Sequence, residues 1–481
     1  MLATPVSDSL AAPGAGRAAP AEMGPIYDWA IDERISQLSG TRSQAARPLL
    51  PALALALLVG VTAWVTGAQA AAVPSPIPAH PAGGVNVQGL GSGVNPAAAD
   101  AEIARAKALH TTVVRASLPW SVMEPAGPGR LSPRALAFAD RLLGDAASAG
   151  IRVILTVDSS PCWATSAPAS LARLCVGAGA NPANAWPPKD PQAYAAFVAF
   201  LAARYGTRLA AIEIWNEPDQ SNQLYFAGPH KAERYAAILR AAYPAIKAAN
   251  PQVPVLAGSL VGSNGTFLRS LYAAGIKGYY DGLAVHFYTL VLGSLRSFRN
   301  VQVANGDSKP LWLDEFGWSN CYPRHRLQEE QACVTTAVQA ANVADVFREL
   351  ARTPYVAAEV LYDLQDSGRE KFGVLSASGA RKPAFKALSG VLTAPFGRVH
   401  PVTLTLRASR GRTVASGSGP VGDFMGLEAF QGSTLRYRAL FTLDRFNRYS
   451  IKLPAVLGSH GLRVRVFQYW AGVGTGPVRS N

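Results

Sequence analysis

The sequence predicts an α/β protein built on a (β/α)8 (TIM) barrel, followed by a small all-β sandwich and preceded by one transmembrane helix. Three observations predict this arrangement. Eight short β-branched runs alternate with Ala/Leu-rich amphipathic segments between residues 84 and 392. After them, strands follow one another with only turns between them. Residues 48–72 are uncharged and form a stretch longer than the ~20 residues that a helix needs to cross a bilayer.

The composition excludes wholesale disorder and offers no support for nucleic-acid binding. Of the 481 residues, 49% are hydrophobic and 16% are charged, which suffices for a sizeable buried core. The 45 Lys and Arg outnumber the 31 Asp and Glu, for a formal net charge of +14. These basic residues are scattered, without a basic run or a zinc-finger or RNA-recognition signature, so we expect no nucleic-acid partner. This surplus of basic residues fits a general basic bias, and it mildly favours an anionic polysaccharide as the substrate.

The N-terminal residues predict a membrane-anchored protein whose main domain lies outside the cytoplasm. Residues 1–47, rich in Ala, Ser, Gly and Pro, are expected to form a disordered cytoplasmic tail. Residues 48–72 are the predicted transmembrane signal anchor, and the arginines before it favour a cytoplasmic N-terminus. Secretion after signal cleavage is the alternative, since Ala68-Gln69-Ala70 resembles a cleavage site. The Pro-rich residues 73–83 are the expected linker.

Residues 84–392 form the predicted barrel. Its expected strands are 84–89, 113–118, 152–158, 211–217, 253–259, 282–288, 310–316 and 357–363. Helices are expected between them, for example over 133–149 and 193–205. A doubly wound open sheet is the competing fold, but the turn after the first strand lacks the G-x-G-x-x-G spacing.

Residues 396–481 form the predicted β-sandwich accessory module. The expected strands lie in VTLTLRAS, LRYRALFTL, RYSIKLP and LRVRVFQYW. The segment resembles bacterial immunoglobulin-like modules of exported enzymes. It either binds glycan or packs on the barrel.

The four cysteines form two local pairs by spacing, Cys162 with Cys175 and Cys321 with Cys333. Neither pair has the C-x-x-C spacing of zinc ligands, so no metal site is expected. Disulfides would be stable in an oxidising compartment. Free buried thiols are the alternative.

Two glutamates end predicted strands. Glu217 lies in IWNEP on the fourth strand, and Glu315 lies in WLDEFGW on the seventh. In a barrel these two strand ends face each other across the mouth, so the side chains converge. Two carboxyl groups flanking one bond suit glycoside hydrolysis, in which one donates a proton and the other attacks the anomeric carbon.

The N-E-P motif on strand four together with L-D-E-F-G on strand seven resembles the clan A glycoside hydrolases, over residues 84 to about 392. This resemblance implies a retaining glycosidase for a β-linked oligo- or polysaccharide, with Glu217 as acid/base and Glu315 as nucleophile. It assigns Asn216 to the sugar 2-hydroxyl and implies no metal or organic cofactor. A non-catalytic carbohydrate-binding protein and a transglycosidase are the alternatives.

The resemblance extends to supporting groups. Arg115 resembles the arginine beneath the nucleophile, and His286 and Tyr288 resemble an H-x-Y element whose tyrosine donates to it. A barrel-core ion pair for Arg115 and a hydrogen-bonded core position for His286 are the structural alternatives.

Aromatic residues on the loops are candidate platforms for sugar rings. Trp120, Trp163 and Trp318 follow strands two, three and seven, and structural packing explains them equally well. On strand eight the clan usually carries a tryptophan beneath the sugar. Here the sequence reads VLYDLQD, so that platform is expected to be a tyrosine or to be absent.

Overall fold

The computed structural model describes residues 80–479 apart from short gaps. The gaps are residues 88, 90–95, 177–180, 222, 263, 289–290, 322–332, 368–370, 410, 459, 470–473 and 477. The predicted tail, the anchor and most of the linker lie outside the described residues. Within the described part of the chain, none of the helices has the length and apolarity to cross a membrane.

Eight parallel strands close into a barrel in sequence order, which confirms the predicted fold. They are β1 (Ala82–Val87), β2 (Val113–Ser117), β3 (Arg152–Val157), β4 (Leu209–Ile214), β5 (Val255–Leu260), β6 (Gly282–His286), β7 (Leu311–Phe316) and β8 (Val356–Leu361). β1 pairs with both β2 and β8, and this pairing closes the sheet.

Helices cover the outside of the barrel, and local signals set their ends. They are α1 (Pro96–Ala108), α2 (Trp120–Met123), α3 (Pro133–Ser148), α4 (Ala169–Ala172), α5 (Pro191–Tyr205), α6 (Lys231–Ala249), α7 (Thr266–Ala273), α8 (Val291–Ala304), α9 (Thr336–Leu350) and α10 (Pro383–Thr393). α3 begins at Pro133, and the Ser132 side chain before it accepts a backbone N–H hydrogen bond. α5 begins in the same way at Pro191 after Asp190. Proline fits the first turn because its missing N–H is not needed there.

The lower barrel interior is an apolar layer. Its buried members are Val113, Ile154, Ala210, Ala211, Leu256, Ala284 and Val360, with Ala82 and Trp312 packed against them. All eight strands contribute to this layer. Alternate residues of a strand point to opposite faces, so the residue two positions further along each strand also faces inward, closer to the barrel mouth.

Two antiparallel sheets follow the barrel and share one apolar core. The first sheet contains β9 (Thr405–Ser409), β10 (Arg412–Ser418) and β13 (Arg448–Lys452), in the order β13-β10-β9. The second contains β11 (Met425–Gln431), β12 (Thr434–Phe441), β14 (Leu462–Gln468) and β15 (Val478–Arg479), in the order β12-β11-β14-β15. We call these two sheets the β module. The predicted strands did not include β10, β11 and β15.

Helix α9 carries polar contacts between the barrel and the β module. The amides of Asn342 and Asn447 are hydrogen-bonded at 2.6 Å. Asp345 accepts a backbone N–H from His400 at 3.0 Å and lies 2.7 Å from its ring Nδ1. Glu349 accepts a hydrogen bond from Gln468, the last residue of β14, at 2.5 Å. Asn342, Asp345 and Glu349 are all buried, so the β module covers this face of the helix.

Candidate active site

A layer of polar side chains lies directly above the apolar layer inside the barrel. It consists of Asn86, Arg115, Thr156, Glu213, His286 and Asp314. In the inward-facing alternation, Asn86 lies four residues beyond the apolar position of its strand, and each of the others lies two residues beyond. All six side chains are buried. Buried charges are tolerated only when they are paired and hydrogen-bonded, so this layer has to be a connected network.

Arg115 is the centre of that network. Its guanidinium donates to both carboxylate oxygens of Glu213, at 2.8 and 3.3 Å. It also donates to Glu315 at 3.1 Å, to Asn86 at 3.1 Å and to Asn216 at 2.8 Å. The planar guanidinium is suited to this role because its donors diverge from one rigid group. Arg115 thus links the base of the site to the side chains at the barrel mouth.

A bulge in β7 aims Glu315 into the barrel. The pairing of β6 with β7 shifts by one residue just before His286, which pairs with Glu315, so Asp314 is the extra residue. In a regular strand, consecutive residues would point to opposite faces. Here Arg115 lies 3.6 Å from the Asp314 carboxylate and 3.1 Å from that of Glu315. Both carboxylates therefore face the same cation.

The end of β4 presents Glu217 through an unusual backbone conformation. Trp215 has φ 70° and Glu217 has φ 44°, values that L-residues rarely adopt and that concentrate at functional sites. The Glu217 carboxylate accepts a hydrogen bond from Gln220 Nε2 at 2.7 Å. Its other oxygen lies 2.9 Å from His286 Nδ1. Glu217 is buried and held on both sides.

Tyr288 and Tyr362 line the opposite side of the site. The Tyr288 hydroxyl donates a hydrogen bond to Glu315. The rings of Tyr288 and Tyr362 meet edge to face with centroids 6.2 Å apart, and both contact Phe372. Tyr362 follows directly after β8, where the sequence predicts that the sugar platform is a tyrosine or absent.

The carboxylates of Glu217 and Glu315 lie close together. One oxygen of each, together with a ring nitrogen of His286, lie within 4.8 Å of one another, and the same holds for Glu213, His286 and Asp314. These donor sets resemble those of metal ligands. Arg115 contacts a carboxylate in both groups, so the protein itself supplies the positive charge that a metal ion would bring.

Electrostatics separate the protonation states of the two deepest acids. Burial opposes ionisation of Glu213, but the adjacent charge and hydrogen bonds of Arg115 outweigh it and lower the pKa of Glu213. Burial and the negative charge of Glu213 raise the pKa of Asp314 well above its usual range. Glu213 is therefore the ionised partner of Arg115, and Asp314 stays protonated.

His286 and Glu217 form a coupled pair. Burial opposes the charged form of His286, but the charge of Glu315 and the hydrogen bond to Glu217 raise the pKa of His286 to about 9. Burial also opposes ionisation of Glu217, but the hydrogen bond and charge of His286 outweigh it and lower the pKa of Glu217. Burial, together with the charge of Glu315, raises the pKa of Tyr288, so its hydroxyl remains a donor.

The three tryptophans are placed differently from one another. Trp120 is 0% exposed, donates to Glu124 and packs against Trp163, so no face of its ring is open to a sugar. The expectation of a sugar platform is wrong for Trp120. Trp163 is half-buried. Trp318 is 3% exposed and, with Tyr288, lines a pocket whose other wall is formed by loops of the β module.

Both predicted disulfides are present. Cys162 is bonded to Cys175 and Cys321 to Cys333, which leaves no free cysteine in the described chain. The bonds close loops after β3 and β7.

Six residues that the sequence predicts at one site lie together in the structure: Arg115, Asn216, Glu217, His286, Tyr288 and Glu315. The sequence motifs predict no role for Asn86, Glu213, Asp314 or Gln220. A signal for Glu213 exists, since it is a charged residue within the otherwise apolar run LAAIEI. Asn86 likewise interrupts AGGVNV. Gln220 lies in an irregular loop and gives no comparable signal.

Comparisons with known proteins place the chain in a family and identify solved structures of similar fold. Residues 79–348 match the family described as Cellulase (glycosyl hydrolase family 5), which is more than half of the chain. Among solved structures, a family 39 glycoside hydrolase from the gut symbiont Bacteroides cellulosilyticus WH2 is 18% identical, with a TM-score of 0.50. That alignment covers 78% of this chain and 80% of that one. This likeness shows the shared fold.

A monomeric beta-xylosidase from Caulobacter crescentus CB15 is 14% identical, with a TM-score of 0.48, 79% of this chain covered and 94% of that one. The exo-beta-1,4-mannosidase Op5Man5 from Opitutaceae bacterium strain TAV5 is 16% identical, with a TM-score of 0.47 and coverages of 66% and 60%. No match was found among curated proteins. The family match over residues 79–348 shows that the chain belongs to the cellulase family, glycosyl hydrolase family 5, and is a glycosidase.

Proposed function

We propose that the protein is a retaining glycosidase that cleaves a β-linked oligo- or polysaccharide by double displacement. The observation that carries the proposal is the placement of carboxylate oxygens of Glu217 and Glu315 within 4.8 Å of each other. Retaining enzymes hold their two carboxyl groups about 5 Å apart, whereas inverting enzymes need roughly 6.5–9.5 Å to admit a water molecule. Arg115 and Tyr288 both donate to Glu315, so its carboxylate is held in place for the role of nucleophile.

Glu217 is the proposed acid/base, and His286 shares its proton. At neutral pH the coupled pair holds one proton, which the lowered pKa of Glu217 and the raised pKa of His286 place mainly on the imidazole. Transfer along the 2.9 Å hydrogen bond from Nδ1 to Glu217 generates the carboxylic acid. Glu217 then protonates the leaving oxygen while Glu315 bonds to the anomeric carbon. In the second step Glu217 takes a proton from water, whose oxygen displaces Glu315.

Asn216 is the proposed contact to the sugar. Its Oδ1 accepts from Arg115 at 2.8 Å, so that oxygen is held toward the base of the site. The amide Nδ2 is then the group that donates to a substrate hydroxyl next to the scissile bond. Such contacts strengthen as charge develops on the ring in the transition state.

The test is hydrolysis of β-linked aryl glycosides and polysaccharides by the full-length protein, with Glu217→Ala and Glu315→Ala beside it. We expect Glu315→Ala to abolish turnover and azide to restore part of the activity of Glu217→Ala. Glu233→Ala, an exposed glutamate on α6, is the matched control and should retain wild-type activity. Full activity of Glu315→Ala, or a first product of inverted configuration, would refute the proposal. A product longer than the substrate would indicate transglycosylation.

We also propose that the catalytic barrel lies outside the cytoplasm, anchored by residues 48–72. The two disulfides support this location because they persist in oxidising compartments. Membrane fractionation of the expressing cells tests it. We expect the protein to resist extraction by alkaline carbonate and its barrel to be digested by protease added outside the cytoplasmic membrane. Release of the whole protein by carbonate, or protection from the protease, would contradict the anchor or its orientation.

A further inference from the structure

The second sheet of the β module has one face in the core and one face outward. On β11 and β14 the directly opposed pairs Leu427 with Val466 and Ala429 with Val464 are buried in the module core. Because side chains alternate along a strand, the residues between them point away from the core. The pairing register therefore fixes the composition of the outer face.

The outer face is basic, and we call it the arginine face. Its members include Arg438 on β12, Gly426, Glu428 and Phe430 on β11, Arg463, Arg465 and Phe467 on β14, and Arg479 on β15. Leu435 and Leu440 of β12 pair with Phe430 and Gly426 at its edge. Cross-strand pairing joins them into rows, one of which runs from Arg438 through Glu428 to Arg465. The arginine face therefore carries four arginines and one carboxylate, so its net charge is positive.

Glu428 neutralises two of these arginines. Its carboxylate accepts from Arg438 at 2.6 Å and from Arg465 at 2.7 Å, and its side chain is only 4% exposed beneath them. Arg463 and Arg479 form a different pair, since they lie directly opposite each other on β14 and β15. Like charges in directly opposed positions destabilise a sheet. The fold thus keeps a repulsive pair on its surface, which a bound anion would relieve.

Aromatic rings lie between the charges. The Arg465 guanidinium lies 5.8 Å from the Phe430 ring centroid and 5.4 Å from that of Phe467. Gly426 leaves space for Phe467 to lie across the sheet, because a Cβ at this position would come within 2.5 Å of the ring. Both rings are half-buried and present part of one surface to solvent. Rings of this kind stack on the apolar C–H faces of sugars.

We propose that the arginine face binds an anionic polysaccharide whose sugars carry carboxylates. Guanidinium groups bind carboxylates through paired hydrogen bonds, and the flanking rings suit the sugar faces between the charges. Neighbouring strands are about 4.8 Å apart, so a chain lying across β11, β14 and β15 would meet successive rows of the face. This site lies on the β module and goes beyond the catalytic proposal, on which it does not depend.

The experiment compares binding of polygalacturonate and neutral mannan to the full-length protein, in the Glu315→Gln background so that turnover does not consume the probe. We expect Arg463→Gln/Arg479→Gln to bind polygalacturonate about tenfold more weakly, since two exposed ionic contacts contribute a few-fold each. The matched control is Arg407→Gln/Arg412→Gln, which removes two exposed arginines from the first sheet and should bind as before. Binding should weaken with added salt, and mannan should bind no variant tightly.

Three results would overturn the proposal. These are equal polygalacturonate binding by the two double variants, equally tight binding of mannan, and equally tight binding of polyglutamate or of vesicles containing anionic lipid. The last result would replace the polysaccharide with a general polyanion or a membrane surface. Hydrolysis of aryl glycosides by Arg463→Gln/Arg479→Gln with native Glu315 should match the wild type. Loss of binding is thereby separated from loss of catalysis.

Discussion

Replacing Arg115 by methionine tests whether the buried network depends on its single guanidinium. Methionine keeps much of the apolar stem and removes the charge and all the donors. Five hydrogen bonds to Glu213, Glu315, Asn86 and Asn216 are lost together. Of these partners, Glu213 is the most affected because it is fully buried and its ionised form relies on this cation.

The expected loss of stability follows from that one uncompensated charge. Removing one partner of a buried ion pair costs about 3–5 kcal/mol. Glu315 keeps the hydrogen bond from Tyr288 and is not fully buried, and Asp314 is held protonated by burial, so neither adds a second fully buried charge. We therefore expect the free energy of unfolding at pH 7 to fall by about 3–5 kcal/mol. Catalytic activity should fall as well, because Glu315 loses the guanidinium that holds its carboxylate in place.

The pH dependence gives a second readout. Arg115 lowers the pKa of Glu213, so its stabilising effect is present above the ordinary glutamate pKa and is lost as the pH falls. The difference in the free energy of unfolding between wild type and variant should become smaller toward pH 4, where Glu213 is neutral in the variant. Urea unfolding followed by tryptophan fluorescence measures both quantities. The control is Arg141→Met, which removes an exposed ion pair with Asp100 and should lower the free energy of unfolding far less than Arg115→Met does. A loss below about 1 kcal/mol at pH 7 would refute the reasoning.

Two further predictions concern His286 and Glu349, two buried groups whose pKa values are raised. His286→Gln keeps a hydrogen-bond donor to Glu217 but removes the imidazole that carries the shared proton. The pKa of that imidazole is about 9. The alkaline limb of kcat/KM, near pH 9 in the wild type, should move to lower pH, and an unchanged limb would show that His286 does not hold the proton. Burial raises the pKa of Glu349 to about 8. Its burial therefore lowers the free energy of unfolding progressively as the pH rises from the ordinary pKa of a glutamate to about 8. Glu349→Gln should therefore be more stable than the wild type at pH 8.5 and similar at pH 4 in urea unfolding, and equal stability at both values would contradict this.

The barrel was predictable because its strands are buried on both sides. Runs such as RVILTV and VAAEVL have no solvent-facing alternation, and they stand out against the helices between them. The strands β10 and β11 were missed because of their glycines. Gly417 lies against the Thr403 backbone, where a Cβ would come within 2.0 Å of the carbonyl oxygen, and Gly426 lies beneath Phe467. A glycine required by close packing looks like a turn residue in the sequence.

The site was predictable where a motif ends a strand at the barrel mouth. It was less predictable deeper in the barrel interior. Glu217 and Glu315 follow from strand ends that any barrel brings together at its mouth. The protonation of Asp314 and the sharing of a proton by Glu217 and His286 depend on distances across the barrel, between residues far apart in sequence. The exposure of a tryptophan is also a tertiary property. Trp120 is buried because α5 supplies Tyr194 and Phe197 against its ring.

The interface along α9 has a consequence for how such a protein can be recombined. Asn342, Asp345 and Glu349 contact the β module, while Phe347 on the same helix packs against Phe316 of the strand that bears the nucleophile candidate. A gene exchange at the apparent boundary near residue 394 would leave three buried polar side chains facing a foreign surface. An exchange before α9 would remove a helix that covers the barrel. The barrel and its β module are therefore expected to be inherited together, and a graft of the module onto another barrel should carry the polar face of α9 with it.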